Sequence, residues 1–361
     1  INPTLEQFEA SDLDLFLAGT AKKINMIEAG ANEVPEAKML EAIEKGHEVI
    51  KELCLLIEKM REEIGKEKFA YASQSAPEGL FAQVKEAFIG KMREAVLTAD
   101  KTVRDNAVAE LTEEVRAFIE ANQPEDAGHT AGIVDSLEKY VVRDYLLNEH
   151  RRVDGRQLDE IRPLSAAIDL FPRVHGSALF TRGQTQVMTI CTLGTVSDAQ
   201  CLDGVDPRDS KRYMHQYNFP AYSVGEARPN RSPGRREIGH GALAERALIP
   251  VLPNEDEFPY AIRCVSEVTM SNGSTSQASV CASSLALMAA GVPIRKPVAG
   301  ISSGLIIDPE NEDNYLVFMD IQGIEDFFGD MDFKVAGTRD GITAIQVDIK
   351  VDGLTIDIIR D

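Results

Sequence analysis

A segment near the start of this chain returns close to its end. Residues 12–28 read DLDLFLAGTAKKINMIE and residues 330–346 read DMDFKVAGTRDGITAIQ. At one constant offset both carry Asp-x-Asp, then Ala-Gly-Thr, then two isoleucines three apart. Self-similarity of this kind marks a duplicated unit; chance likeness of two short hairpin patterns is the competing explanation. Duplication makes residues 1 to about 65 the tail of one domain copy. Residues from about 150 onward are then a second, nearly complete copy, with a connector between them. At about 100–200 residues per domain, a chain of 361 has room for this arrangement.

The two copies differ where charge matters. Lys334 is matched by Phe16, and Asp326 by Phe8. Exchanging a lysine and a carboxylate for aromatic rings removes metal or phosphate chemistry and leaves packing, so activity is expected in the second copy.

From the end of the first copy through the connector the periodicity is helical. From Pro35 to Ile64 the residues Leu40, Ile43, Ile50, Leu53, Ile57, Met60 and Ile64 form a stripe at helical spacing. Further helical patterns run over 77–99, 103–121 and 132–148, with polar breaks at 69–77 and 122–131. After Arg151 short β-rich runs appear at 177–182, 185–193, 260–270, 298–307, 315–321 and 342–351. Helical segments at 239–249 and 276–291 interrupt them, which predicts an α+β domain of about 200 residues.

Three constellations in that domain carry chemistry. In RPNRSPGRREIGHG (228–241), Arg228, Arg231, Arg235 and Arg236 crowd a Pro/Gly loop ahead of a helical run. Guanidinium forks grip phosphate oxygens bidentately, and helix N-termini add backbone donors. Composition alone leaves a solvated basic loop equally open. In SNGSTSQAS (271–279) a strand, a Gly turn and three consecutive hydroxyls, Ser274, Thr275 and Ser276, meet a helix N-terminus. Ordinary capping needs only one hydroxyl, whereas three suit an oxyanion or phosphate cradle. The third, DIQGIEDFFGDMDFK (320–334), holds Asp320, Glu325, Asp326, Asp330, Asp332 and Lys334. In a strand Asp330, Asp332 and Lys334 would share one face. Carboxylates so placed repel unless a cation neutralises them, and Mg²⁺ suits an oxygen site that leaves positions for water and phosphate. The interleaved Phe327, Phe328, Met331 and Phe333 favour a partly buried pocket over a solvated acidic turn.

Other classes are excluded more simply. The five cysteines are scattered and form no CxxC pair, so neither a zinc site nor a disulfide framework is indicated and reduced cytosol is expected. No apolar run approaches the ~20 residues of a membrane span. The formal charge of −21 argues against a surface that coats nucleic acid, and the excess is heavier in residues 1–150, with 30 acids against 17 bases. His175 and His215 are expected near the site without a specific signal.

Taken together, LFPRVHGSALFTRGQTQ (170–186), YNFPAYSVGE (217–226), GRREIGHG (234–241), SNGSTSQASVCASSLALMAAGVP (271–293) and GDMDFKVAGTRDG (329–341) resemble the second catalytic core domain of the bacterial polynucleotide phosphorylase family. The resemblance covers nearly the whole chain. It implies an α+β, ribonuclease PH-like domain with a ribosomal-protein-type β-α-β fold over 149–361. An all-helical connector over 69–148 and the end of a first such domain over 1–68 would precede it. It also implies a final core helix and KH-type and OB-fold RNA-binding domains beyond Asp361.

The implied activity is 3′→5′ phosphorolysis of single-stranded RNA, with inorganic phosphate as co-substrate and nucleoside diphosphates as products. Carried over by motif, Ser274, Thr275 and Ser276 bind the attacking phosphate, with Arg235, Arg236 and His240 around the phosphates. Asp326, Asp332 and Lys334 form the catalytic and metal cluster, holding Mg²⁺ or Mn²⁺, with Asp330 in support. The family further implies a homotrimeric ring in the cytoplasm, mRNA degradation and partners in an RNA-degradation complex. A non-catalytic ring subunit or RNA-binding scaffold of the same fold is the alternative. The net acidity is compatible with RNA as a substrate, because only a 3′ end enters and the positive charge it needs is local.

Overall fold

A computed structural model describes residues 1–71, 76–77, 79–205, 209–229 and 232–361. A short helix α1 (Leu5–Glu9) precedes a hairpin of β1 (Leu13–Gly19) and β2 (Ile24–Val34), and the long α2 (Glu36–Ile64) follows. The helices α3 (Leu80–Val96), α4 (Lys101–Asn122) and α5 (Thr130–Leu147) then form a bundle, the last two joined by a 3₁₀ turn over Pro124–His129. Its core is the apolar stripe of each helix: Val84, Met92, Val96, Val115, Ile119, Leu137, Val141 and Leu146 are fully buried.

The rest of the chain builds two sheets. Its elements are β3 (Leu164–Ile168), β4 (Gly176–Arg182), β5 (Thr185–Gly194), the two-residue β6 (Gln200–Cys201) and β7 (Ser210–Lys211), β8 (Tyr213–Asn218) and α6 (Arg235–Leu248). They continue with β9 (Ala261–Met270), α7 (Thr275–Ala289), β10 (Ala299–Asp308), β11 (Asn311–Met319), α8 (Gly323–Phe328), β12 (Met331–Gly337), β13 (Ile342–Ile349) and α9 (Ile356–Arg360). One sheet has the order β3-β4-β5-β9-β8, antiparallel except for the β8–β9 pair. The other, β1-β2-β13-β12-β10-β11, is antiparallel throughout. Between them runs α7, whose Ala- and Ser-rich sequence lets it be buried on nearly every side. A methyl group at Gly176 of β4 would come within 2.4 Å of the Ala286 carbonyl, so this contact needs glycine.

The repeated segments are two copies of one bulged hairpin. Register shifts between Ala18 and Gly19 in β1, and between Ala336 and Gly337 in β12. Thr20 N–H reaches Lys23 O at 2.8 Å, and Thr338 N–H reaches Gly341 O at 3.0 Å. A Cβ at Gly19 would stand 2.6 Å from the Lys23 carbonyl, and one at Gly337 would stand 2.5 Å from the Gly341 carbonyl. The same crowding thus calls for the same residue in both copies. The hairpins lie side by side, β2 antiparallel to β13, so the first copy's tail extends the second copy's sheet.

The structure moves one helix boundary and adds β3 and β8 to the sequence reading. The helix expected over 239–249 begins at Arg235, where the Glu237 carboxylate reaches back to accept the Gly234 N–H at 2.6 Å, the half of a capping box that a glycine N-cap allows. β8 was not expected, although Tyr213, His215 and Tyr217 alternate inward along it. β3 shows no alternation at all, since every residue of this edge strand is exposed. Among the described residues no helix is long and apolar enough to cross a membrane.

Candidate active site

The hydroxyl loop is held in a backbone shape that its own sequence disfavours. Gly273 has φ +86° and Ser274 has φ +50°, ψ +48°, the left-handed region that costs an L residue about 1–2 kcal/mol. Surrounding groups impose it. Thr185 Oγ1 donates to Gly273 O at 2.9 Å, Arg162 Nη1 to Asn272 O at 2.6 Å, and Arg182 Nη2 to Ser274 O at 2.9 Å. Asn272 Oδ1 accepts from Gly323 N–H at 3.1 Å, which ties the loop to α8. Thr275 Oγ1 is occupied by the Tyr217 hydroxyl at 2.6 Å. Ser274 Oγ and Ser276 Oγ, by contrast, are buried with no partner, beside the free N–H groups that open α7. Unpaired buried hydroxyls are costly, and an anion at the helix end would satisfy them.

Behind the loop lies a buried ionic cluster that includes Asp320 and Glu325, two acids of the 320–334 segment. Asp320 meets Arg162 at 2.8 Å, Arg182 at 2.6 Å and Arg156 at 3.1 Å; Glu325 meets Arg152 at 2.5 Å. Burial pushes the Asp320 carboxyl up, but Arg162 and Arg182 outweigh it and hold it at about 2. Both acids are therefore consumed in building the floor of the site.

From α6 the first-turn residues Arg235 and Arg236 are exposed, with Arg236 lying over the Phe219 ring at 5.8 Å. Two guanidiniums at the positive end of a helix are disfavoured without an anion. Arg228 instead pairs with Glu226 at 2.8 Å, and Arg231 lies outside the described residues. The His240 ring meets Tyr217 edge-on, with ring centres 5.1 Å apart, and its Nδ1 is buried without a partner. Burial first, then Lys334 and Arg236, lower its pKa to about 3, so it faces the site as a neutral imidazole.

Opposite stand the carboxylates. Asp332 on β12 is paired in register with Asp348 on β13. Lys334 Nζ lies 2.6 Å from Asp332 Oδ2, whereas Asp332 Oδ1 is buried with no partner. Burial raises the Asp332 pKa, Lys334 opposes this, and Asp326 and Asp348 add to the rise. Asp326 projects from α8, with Lys350 Nζ 3.5 Å from its Oδ1. Asp330 does not join them. It accepts from Arg143 Nη1 and Nη2 at 2.7 and 2.9 Å and from Ile307 N–H at 2.7 Å, facing α5 rather than the cleft.

One cleft of about 770 Å³ gathers Arg235, Arg236 and His240 from α6 with Ser274, Thr275 and Ser276 at the head of α7. Asp326 from α8, and Asp332 and Lys334 from β12, line it too. Sequence reading missed four polar lining residues, Lys101, Gln346, Asp348 and Lys350. The alternation of Gln346 and Asp348 along β13, continued by Lys350 just past its end, was a usable signal; Lys101 comes from the helical bundle and had none. A second cleft of about 790 Å³, lined largely by small and apolar residues, lies between β3, β4 and the β12–β13 turn. His175 accepts from Leu193 N–H at 3.2 Å, away from the cleft, and His215 is sealed between Tyr213 and Ser266.

Among the described residues no three His, Cys, Asp or Glu side chains gather as a metal-binding set. Asp326 and Asp332 nonetheless fit a hard cation that takes most of its ligands from water and phosphate. The unpartnered Asp332 Oδ1 is the observation in favour. An ammonium has no lone pair to offer, so the ion-paired Lys334 suits an anion rather than the metal.

Comparison with known proteins agrees in each part of the chain. Residues 160–293 match the 3′ exoribonuclease family, domain 1, and residues 1–49 match its domain 2. Residues 79–157 match the RNA binding domain of polyribonucleotide nucleotidyltransferase. The polyribonucleotide nucleotidyltransferase of Ruminiclostridium cellulolyticum is 62% identical over 100% of this chain and 51% of its own length. That of Lachnoclostridium phytofermentans is 59% identical over 100% and 52%, and that of Geobacillus kaustophilus 54% over 100% and 50%. A crystal structure of rice Rrp46 is similar over 56% of this chain and 87% of its own, with 18% identity and a TM-score of 0.43. The chain spans about half the length of the curated relatives it matches, and it belongs to the polyribonucleotide nucleotidyltransferase family.

Proposed function

We propose that this chain carries the phosphorolytic site of a 3′→5′ exoribonuclease. The observation that carries the reading is the pairing, in one cleft, of unpartnered anion donors with an unpartnered carboxylate oxygen: Ser274 and Ser276 Oγ on one wall, Asp332 Oδ1 on the other. Inorganic phosphate sits on the two hydroxyls and the α7 N-terminus, with Arg235 and Arg236 over it and His240 as a neutral hydrogen-bonding neighbour. One phosphate oxygen attacks the phosphorus of the 3′-terminal nucleotide, and the bond to the preceding 3′-oxygen breaks. A nucleoside diphosphate leaves and the RNA is one residue shorter, with a new 3′-hydroxyl.

Bringing a phosphate against a polyanion is opposed by charge, so the site must neutralise both partners and hold them in line. Arg235, Arg236 and Lys334 supply fixed positive charge. A divalent cation, Mg²⁺ or Mn²⁺, held by Asp326 and Asp332 would polarise the phosphoryl oxygens when bound. Asp330 acts in support by anchoring the segment between α8 and β12. The domain division proposed is 1–68, 69–148 and 149–361. In the whole protein we assign a homotrimer in the cytoplasm that degrades mRNA, within an RNA-degradation complex.

The test is whether RNA loss by the whole natural protein requires inorganic phosphate and yields diphosphates. Asp332→Asn should stop ADP release from poly(A) while RNA binding is retained. Monophosphate products, or release that persists in Asp332→Asn, would overturn the reading.

A further inference from the structure

Beside the cleft one side-chain oxygen, that of Gln184, ties the helical bundle to the hydroxyl loop. At the start of α4 the Asp100 carboxylate accepts the N–H groups of Thr102 and Val103, at 2.8 and 3.1 Å. The N–H of Lys101 is left over from that cap and donates to Gln184 Oε1 at 3.1 Å, in the turn between β4 and β5. The same oxygen accepts from Asn272 Nδ2 at 3.3 Å. Asn272 is 3% exposed and immediately precedes Gly273 and Ser274. Its other end accepts from the first N–H of α8, at Gly323. Gln184 Oε1 therefore links the bundle, the hydroxyl loop and, through Asn272, the helix that bears Asp326.

We propose that Gln184 is a positioning residue for the phosphate loop, through which the bundle sets the geometry of the cleft. The proposal rests on the phosphorolytic reading above and deepens it. Without the Gln184 oxygen, Asn272 Nδ2 keeps only a 3.4 Å contact to Gln322 Oε1. A buried amide with one weak partner turns to find another, and turning releases Gly323 N–H. The left-handed Ser274 lies two residues on, and a strained residue keeps its shape only while its surroundings over-determine it. Removing one support lets Ser274 and Ser276 drift from the anion position. Asp332 and Lys334, on a separate strand, keep theirs.

The effect should fall on phosphate rather than on RNA. In the whole natural protein, Gln184→Met keeps the side-chain length and removes the acceptor, whereas Gln184→Glu keeps acceptor oxygens facing the α4 N-terminus. Three quantities are measured: the KM for phosphate in ADP release from poly(A), the Kd for inorganic phosphate by calorimetry, and the Kd for poly(A). Gln184→Met should raise the phosphate KM and Kd about three- to tenfold, the worth of one ordinary hydrogen bond. Poly(A) affinity and Tm should stay near wild type, and Gln184→Glu should return the phosphate constants toward the wild-type values. Unchanged phosphate constants in Gln184→Met would overturn the proposal. So would a fall in poly(A) affinity and Tm of equal size, which marks general damage. A wild-type protein that binds phosphate but releases no diphosphate sinks the reaction instead, and the calorimetric comparison still decides the role of Gln184.

Discussion

Replacing Arg143 on α5 by methionine separates two roles for Asp330, ligand and anchor. In the wild type the guanidinium makes a bidentate pair with Asp330, at 2.7 and 2.9 Å, and also donates to Phe328 O at 3.2 Å and Ile307 O at 2.6 Å. Asp330 is 6% exposed, so Arg143→Met leaves a buried carboxylate with only the Ile307 N–H for a partner. Breaking a buried pair from one side costs about 3–5 kcal/mol. At about 2–4 °C per kcal/mol for domains of this size, Tm should fall by about 6–20 °C. Asp330→Asn should cost less, about 1–3 kcal/mol, because Arg143 keeps its two carbonyls and Asn keeps an oxygen for Ile307. In the double variant no buried carboxylate is stranded, so it should be more stable than Arg143→Met alone. The assay is thermal unfolding of the four proteins alongside phosphate-dependent ADP release. If Asp330 is an anchor, the double variant recovers activity along with stability. A double variant that regains Tm and remains inactive would refute this reasoning and return Asp330 to the metal.

Ser274→Gly should leave Tm unchanged or raise it slightly, since it relieves a left-handed residue and removes an unpartnered buried hydroxyl. The phosphate KM should rise about ten- to a hundredfold, the worth of a hydrogen bond to a charged group; a lower Tm with an unchanged KM would contradict the cradle. Stability should also fall on acidification. His215, sealed between Tyr213 and Ser266, has its pKa lowered by burial from 6.5 to about 3. Its contribution is therefore complete above pH 6.5 and is lost as pH falls from 6.5 toward 3, by about 1.4 kcal/mol per pH unit. A His215→Gln protein should show a shallower decline of Tm between pH 6.5 and 4, and equal slopes would reject the assignment.

Much of this protein was legible in the residue order, and for identifiable reasons. Helix stripes, alternating strands and the repeated Ala-Gly-Thr hairpin follow from local periodicity and from steric demands that act over a few residues. That is why Gly19 and Gly337 recur, each facing a carbonyl that excludes any side chain. The hydroxyl loop and the arginine pair stand out in the residue order because few residue types suit an anion, and the structure brings both to one cleft. Partner choice among charged groups was not. Asp320, Glu325, Asp326, Asp330 and Asp332 look equivalent in sequence, and each is decided by what a distant element brings beside it. Arginines from 143 to 182 claim three of them, and only Asp326 and Asp332 are left to the cleft. The same holds for Lys101, Gln184 and Asp348, which reach the site or its supports by the packing of a bundle, a turn and a neighbouring strand. Coulomb and hydrogen-bond energies depend on separation in space, and only the tertiary structure sets that separation.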